Sequence, residues 1–320
     1  MVSESQGENR GVIAVVGSLN ADLVIQLQDF PAEGETVLGD SVTHFPGGKG
    51  LNQAVAAHRA GAQVSLIGAI GSDSLGSTLK EVVAREGLED HVAVLDGHSS
   101  GTALIEVDPT GANRIVVVGG ANGHLTPDMV ESALKTINEQ HPIGVVLVQC
   151  EIPVESIDRA LEVGQSLGAL TILNPAPIRE FTSEIFKHTD YLIPNEHEAR
   201  EISKVTAQPL KSMLDCVEAA NSMLDLGVKN VIVTRGEKGA VWANANGSGQ
   251  TGAFRIVPID TVAAGDAFCA VFACAINEGK PFSEALRWAS AAGALAATKS
   301  GAVASLPQRK EIEELLGITN

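Results

Sequence analysis

The stretch from Asp260 to Phe268 reads Asp-Thr-Val-Ala-Ala-Gly-Asp-Ala-Phe, and it sets one acid, Asp266, directly behind a run of small residues. The preceding run Phe254-Arg255-Ile256-Val257-Pro258-Ile259 reads as a strand, and the apolar run from Ala267 through Ala275 reads as a helix. Ala263, Ala264, Gly265 and Asp266 are therefore expected to form a tight turn that opens a buried helix. The first N–H groups of a helix have no internal partner, and the helix dipole adds partial positive charge there. Small side chains leave those groups uncovered, so the turn suits an anion. A carboxylate beside an anion site is a poor ligand for the anion. It is a sensible group to take a proton from a hydroxyl that attacks a phosphate. The bland alternative is that Gly265 permits close packing and Asp266 caps the helix.

Two further constellations lie near the other end of the chain. Gly17-Ser18-Leu19-Asn20-Ala21-Asp22 follows an apolar run, and Gly47-Gly48-Lys49-Gly50-Leu51-Asn52-Gln53 opens a helical stretch. Asn, Asp, Lys and bare backbone supply the mixture of donors and acceptors that a polyol needs, because each hydroxyl both donates and accepts. Each piece alone is also an ordinary turn. The Gly47–Gly50 run lacks the Ser or Thr after Lys that a phosphate-binding P-loop needs, and no Gly-x-Gly-x-x-Gly fingerprint follows the first strand. Later, Asn195 and Glu198 sit three apart at a helix start, where such a pair can orient a hydrated Mg²⁺ through waters. A plain helix cap is the alternative. Thr234-Arg235-Gly236-Glu237-Lys238-Gly239 follows another apolar run, and its glycines allow close backbone approach.

The elements that must position these residues alternate. Strand-like runs occur at Val12–Val16, Val64–Ile70, Gly144–Gln149, Leu170–Leu173, Tyr191–Pro194 and Val231–Thr234. Helical runs occur at Leu51–Ala60, Leu75–Glu86, Val154–Leu167 and Leu214–Leu226. This order predicts an α/β fold with a mostly parallel sheet covered by helices on both faces, and ligands beyond the carboxyl ends of its strands. Two segments break the pattern. Asp22–Leu27 with Thr36–Phe45, and Thr102–Asp108 with Arg114–Val118, read as antiparallel pairs forming a small separate sheet. That sheet, from about residues 20–46 and 101–119, could close as a lid over a substrate or pair with a second copy.

Residues 1–11 are polar, lack the apolar segment of a signal peptide and are expected to be a disordered tail, leaving one domain over 12–320. No apolar run reaches the ~18–20 residues that cross a bilayer, so a cytoplasmic protein without a membrane partner is expected. The formal charge of −17 disfavours nucleic acid as a partner, since a phosphate backbone needs a basic footprint. Cys150, Cys216, Cys269 and Cys274 match no zinc spacing and are expected to be reduced and buried.

The Asp260–Phe268 stretch resembles the C-terminal signature of the ribokinase family, also called the PfkB carbohydrate kinases, and the two N-terminal runs resemble its sugar-binding signature. The resemblance spans about residues 12–316. The family usually has Gly where this chain has Ala263, although ribokinases often carry Ala, and Leu51 stands where Ala is common. The resemblance implies a ribokinase-like fold and transfer of a phosphoryl group from ATP to a sugar, D-ribose at O5 first among them, with Mg²⁺. Asp266 would be the base, and Ala263, Ala264 and Gly265 the anion hole. Asn20, Asp22, Gly48, Lys49, Asn52 and Glu151 would hold the sugar. Asn195, Glu198, Thr234, Gly236, Gly239, Gly265 and Ser290 would serve ATP and its Mg²⁺. A K⁺ activator would sit at Asp260, Val262, Ala296, Lys299, Gly301 and Ser305, mostly on carbonyls. A homodimer through the lid is implied as well. Another acceptor (deoxyribose, fructose or a nucleoside) and a sugar-binding regulator without catalysis stay open. A dehydrogenase is disfavoured by the missing fingerprint.

Overall fold

The strand Val12–Val16 is buried at every position, yet its side chains serve two cores. Ile13 and Val15 belong to one, and Val12, Ala14 and Val16 to the other. The period-two pleat forces that division, and a strand covered on both faces therefore reads as a continuous apolar run. The computed structural model describes residues 11–110 and 112–318 and carries this arrangement through a nine-stranded sheet. The expected tail at residues 1–11 thus lies, but for Gly11, outside the described residues.

In chain order the strands are β1 (Val12–Val16), β2 (Asn20–Gln26), β3 (Ser41–Gly47), β4 (Val64–Gly71), β5 (Glu89–Leu95), β6 (Gly101–Val107), β7 (Asn113–Val118), β8 (Ile143–Gln149), β9 (Leu170–Asn174), β10 (Tyr191–Leu192), β11 (Asn230–Thr234), β12 (Ala240–Asn244) and β13 (Gly247–Thr251). The helices are α1 (Lys49–Arg59), α2 (Ser74–Arg85), α3 (Pro127–Gln140), α4 (Val154–Ser166), α5 (Ser183–Lys187), α6 (Glu196–Ser203), α7 (Met213–Asp225), α8 (Ala264–Asn277), α9 (Phe282–Ala296) and α10 (Arg309–Leu316). The large sheet runs β13-β12-β11-β10-β9-β8-β1-β4-β5. It is parallel from β11 to β5, and β12 and β13 extend it antiparallel. Helices α1, α2, α8, α9 and α10 pack on one face, and α3 to α7 on the other.

Helix α8 is buried from Asp266 through Asn277, as its nearly all-apolar sequence requires. Small residues let α9 lie close against it: a Cβ at Gly293 would sit 3.1 Å from the carbonyl oxygen of Ala264. The four cysteines are free and buried, and burial raises all four thiols above their ordinary range. Among the described residues no helix is long and apolar enough to cross a membrane.

The small sheet has the order β3-β2-β6-β7. Its outer pairs are the antiparallel pairs expected, but β2 and β6 run parallel where the two join. Pairing in β3 begins only at Ser41, and Pro46 is tolerated because β3 is an edge. One expected strand does not form. Phe254–Ile259 is an extended loop with no ladder partner, and Val257 and Ile259 are 84% and 69% exposed. Pro258 has no N–H to give, which breaks a ladder there.

Candidate active site

Helix α8 begins at Ala263, whose φ of 60° and ψ of 3° place it in the left-handed region. No side chain caps the helix. The N–H of Ala264 donates to the Thr261 carbonyl at 3.3 Å, and that of Ala267 to the Ala263 carbonyl at 2.8 Å. Among the described residues, the N–H groups of Gly265 and Asp266 between them have no acceptor. Gly265 is exposed, and a Cβ built on it would meet nothing within 4 Å. The turn is thus the bare, donor-rich helix start expected from its sequence, with open space above it.

Asp266 is 5% exposed. Asn52 Nδ2 donates to its Oδ2 at 3.0 Å, and Gln53 Nε2 to its Oδ1 at 2.9 Å. Both donors come from α1, so the chain's two signatures meet at one carboxylate. Lys49, one turn earlier on α1, is held above the ordinary ammonium range by the Asp266 carboxylate, with Glu151 and Glu198 adding to it against the effect of burial. Asn52 Oδ1 is buried without a partner among the described residues. An orphaned acceptor of this kind suits a ligand hydroxyl.

The loop after β1 supplies the opposite wall. Ser18 Oγ donates to Glu151 Oε2, which also accepts the Lys49 N–H at 3.1 Å and lies 3.5 Å from Asn20 Nδ2. Asn122 Nδ2 donates to Asn20 Oδ1 at 2.8 Å and fixes that side chain. Asp22 faces the same space from β2. Burial, then the charges of Glu151 and Asp266, push its carboxyl up to about 7. The glycines are explained by close approach. A Cβ on Gly47 would lie 2.1 Å from the Asp22 carboxylate, and one on Gly50 2.5 Å from the backbone of Gly17 and Ser18. Gly48 has a φ of 89°. Asn20, Asp22, Gly48, Lys49, Asn52, Glu151 and Asp266 thus converge on one polar space at the carboxyl ends of β1 and β8.

On the nucleotide side, Asn195 and Glu198 form the capping box of α6. Asn195 donates its N–H to Glu198 Oε2 at 2.8 Å and its Nδ2 to Oε1 at 2.9 Å. The cap reading therefore holds, yet it does not use up the carboxylate. Glu198 is buried, its pKa is raised by that burial, and it feels both Lys49 and Asp266. Thr234 bridges to Asn195, and its N–H donates to the Pro194 carbonyl at 2.9 Å. The two segments border one groove of about 490 Å³ with Arg235, Gly236, His197 and Arg200. Gly239, with φ 84°, turns beside Thr251, whose carbonyl a Cβ would meet at 2.0 Å. Ser290 donates its hydroxyl to the Leu286 carbonyl within α9 at 2.8 Å and is not paired with the 234–239 loop.

Of the residues implied for K⁺, Asp260 and Val262 precede α8, Ala296 ends α9, and Lys299, Gly301 and Ser305 follow it. Asp260 accepts the Val262 N–H at 3.0 Å and the Gly301 N–H at 2.9 Å, which draws the loop before α8 to the loop after α9. Ala297 takes the N–H groups of Ile259 and Asp260. Lys299 sends its ammonium away to Glu311, at 2.6 Å, so only its backbone is placed to serve the site. Ser305 donates its hydroxyl to the Ala302 carbonyl at 2.8 Å, which leaves its oxygen free to accept.

Sequence reasoning missed four side chains here. Gln53, Gln149 and Asn174 build the support behind Asp266, and Asn122 holds Asn20. Gln53 lay in plain view beside Asn52, but nothing local marks Gln149, Asn174 or Asn122.

Residues 11–309 match the model of the pfkB family carbohydrate kinase. A protein named ribokinase from Haemophilus influenzae is 38% identical over 308 residues, covering 96% of this chain and 99% of its own. The crystal structure of ribokinase from Thermotoga maritima superposes with a TM-score of 0.85 at 37% identity, over 96% of this chain and 99% of that one. The ribokinase of Arabidopsis thaliana, solved in complex with ribose and ATP, gives a TM-score of 0.85 at 29% identity over 96% and 99%. The chain belongs to the PfkB family of carbohydrate kinases.

Proposed function

We propose that the protein is an ATP-dependent kinase of D-ribose, transferring the terminal phosphoryl group to O5, with Asp266 as the general base. The observation that carries the reading is the placement of Asp266. Its carboxylate is buried at the start of α8, between the uncovered N–H groups of the turn and the Asn20, Asp22, Lys49 and Glu151 wall. The family relatives named for ribose support the choice of acceptor.

The polar wall holds the sugar hydroxyls. Asp22 and Glu151 accept, the Lys49 and Asn20 groups donate, and Asn52 offers its free carbonyl oxygen. Asp266 takes the proton of the primary hydroxyl as its oxygen attacks phosphorus. The free N–H groups of Gly265 and Asp266, together with Lys49, stabilise charge on the transferring group while the bond from the terminal phosphorus to the ADP oxygen breaks, and ADP leaves with that electron pair. Phosphoryl transfer needs little covalent help, so positioning and electrostatics carry the rate. The small sheet acts as a lid that keeps water from competing with the sugar.

No group of three or more His, Cys, Asp or Glu side chains suited to a metal occurs among the described residues. A Mg²⁺ here would keep its waters and ride on the phosphates, with Glu198 and Asn195 orienting that hydration shell; the buried, capped carboxylate fits such a role. When bound, Mg²⁺ neutralises charge on the phosphates. K⁺ would be held by Asp260, Ser305 and carbonyls of Val262, Ala296, Lys299 and Gly301, and would steady the turn at Ala263. Exchange of K⁺ for a large, non-coordinating cation is expected to lower turnover, and equal turnover would reject the site.

In β7, Ile115, Val116, Val117 and Val118 are each at least half exposed, and the strand is an edge. Proteins protect such an edge, and pairing with a partner is one way to do so. A homodimer through the small sheet satisfies it, and a monomer by light scattering at working concentration would sink that assembly. A cytoplasmic location completes the reading, and fractionation would test it.

The decisive experiment measures ADP release with Mg-ATP and K⁺ across ribose, deoxyribose, arabinose, fructose and adenosine. Ribose-selective turnover that falls at least ~10²-fold in Asp266→Asn is expected. Selectivity for another acceptor would move the substrate and keep the chemistry. Saturable sugar binding without turnover would leave a regulator.

A further inference from the structure

Gln53 is fully buried, and all of its polar groups are used inside the protein. Its Nε2 donates to Asp266 Oδ1 at 2.9 Å and to Asn174 Oδ1 at 3.2 Å. Its Oε1 accepts from Gln149 Nε2 at 2.6 Å. Asn174 Nδ2 in turn donates to the Ile193 carbonyl at 2.9 Å. That backbone contact dictates the orientation of the rest. Because Asn174 must turn its nitrogen to Ile193, its oxygen faces Gln53. Because Gln149 presents an N–H, Gln53 must present oxygen to it and nitrogen to Asp266. A flipped Gln53 would set a carbonyl against the carboxylate.

This amide chain joins the carboxyl ends of β8, β9 and β10 to α1 and α8. A core of Ala, Val, Leu and Ile does not need it: the chain leaves Gln149 Oε1 buried without a partner among the described residues, and apolar side chains in place of buried polar pairs are often neutral for stability. Its product is the direction of one carboxylate. Neutral donors achieve this without adding a positive charge, which would weaken a base. We propose that Gln53 is a positioning residue for phosphoryl transfer: the relay from Gln149 through Gln53, braced by Asn174, fixes the Asp266 carboxylate so that a free lone pair meets the sugar hydroxyl. The inference rests on the reading of Asp266 as the base. Asn52, the other donor, borders the sugar space and has its own free acceptor, so Gln53 is the contact that stays when a sugar engages Asn52. Other charged or ionisable groups facing Asp266 are Lys49 from α1, Asp22 from β2, Glu198 from α6 and Cys269 from α8.

The test compares Gln53→Met, Gln53→Glu and Gln149→Met in the full chain, with kcat and both KM values measured from pH 5.5 to 9. Gln53→Met is expected to lose about tenfold or more in kcat, as small misplacements of a reacting group do, with KM for ribose and ATP within about twofold. Gln53→Glu is expected to move the acid limb of the kcat profile to higher pH, because a second carboxylate disfavours ionisation of Asp266. Gln149→Met should lose less, since it only frees Gln53 to flip. A kcat for Gln53→Met within twofold of the parent would overturn the relay. If that variant does not fold, the near-isosteric Gln53→Glu decides, and an unchanged pH profile overturns it. Asp266→Asn separates the two readings: full activity there removes the base, whereas an inactive Asp266→Asn beside a normal Gln53→Met removes only the relay.

Discussion

The sugar side and the nucleotide side of the site are built on different principles. Around Asp266 the polar side chains bind one another across the fold: Asn52 and Gln53 reach a residue more than 200 positions away, and Ser18, Asn20 and Lys49 share Glu151. Those groups are buried or half-buried and are oriented before any ligand arrives. Around the groove near Thr234 the side-chain bonds span at most 40 positions, as from Thr234 to the Pro194 carbonyl and from Arg235 to Glu196. Several close within one turn, such as the Asn195–Glu198 box, as does the backbone bond from Gly239 N–H to the Gly236 carbonyl. The groove is open, and the N–H groups at Gly265 and Asp266 wait for an acceptor. One half is preorganised by the protein, and the other is completed by its ligand. A base and an acceptor hydroxyl must meet within a few tenths of an ångström, whereas a polyphosphate with its own cation tolerates a looser cradle.

The sharpest way to break that contrast is Gly265→Ala. Nothing in the protein occupies the space above Gly265, so the methyl group should be accepted by the fold and refused by the phosphate. Turnover with saturating sugar is expected to fall roughly 10- to 100-fold, less than the ~10²–10³-fold of a deleted oxyanion donor because the N–H stays and is only shielded. Thermal stability should stay level or rise by up to about 1 kcal/mol, because Ala is the better helix former. Loss of both stability and activity would mean that the turn is preorganised by packing, like the sugar side.

The sugar side carries its own signature in Asp22, whose carboxyl is pushed up to about 7 by burial and by Glu151 and Asp266. If the ionised form accepts sugar hydroxyls, KM for ribose should rise as pH falls from 8 to 6, by about tenfold, since roughly a tenth of the groups would be ionised one unit below the pKa. KM for ATP should change far less, and the ratio of the two profiles is the measurement. The stability consequence has the opposite sense. Between the ordinary carboxylate range and about 7 the folded protein holds a proton that the unfolded chain has lost, so stability falls as pH rises through that window. Asp22→Asn should therefore raise the melting temperature at pH 8 more than at pH 4, while weakening sugar binding and flattening its pH dependence. A KM for ribose flat from pH 6 to 8 in the parent would reject the assignment.

The same contrast explains what could be read from the chain. Signatures contiguous in sequence were legible: the turn at Ala263–Asp266, the Gly47–Gln53 run and the Asn195–Glu198 pair all lie at the element boundaries expected. Strands covered on both faces gave themselves away by continuous apolar runs, as β1, β4 and β8 did. What stayed hidden was non-local. Gln149 and Asn174 are ordinary strand ends until the fold brings them to Gln53. The hairpin of β12 and β13 was missed because β13 reads Gly-Ser-Gly-Gln-Thr, with no apolar alternation to mark it. Phe254–Ile259 misled in the other direction, since its apolar side chains suit a strand while Pro258 denies it a ladder and leaves Val257 and Ile259 to solvent.

The smallest expected effect concerns the hinge between the two halves. Ala263 occupies the left-handed region at φ 60°, and among the described residues only Lys204 shares that trait without being Gly. An L-residue there costs about 1–2 kcal/mol, and Gly avoids that cost while giving up about 0.5–1 kcal/mol of chain entropy. Ala263→Gly should therefore gain about 1 kcal/mol or less, read by denaturant unfolding with the slope unchanged. If the turn must yield to seat the phosphates, the more flexible Gly should leave kcat within about twofold, because the ligand itself fixes the N–H groups. If the turn is instead as preset as the Asp266 side, the added freedom should cost turnover even as the fold gains stability. A gain in stability with unaltered turnover keeps the contrast between a side organised by the protein and a side organised by its ligand; a gain in stability with lost turnover ends it.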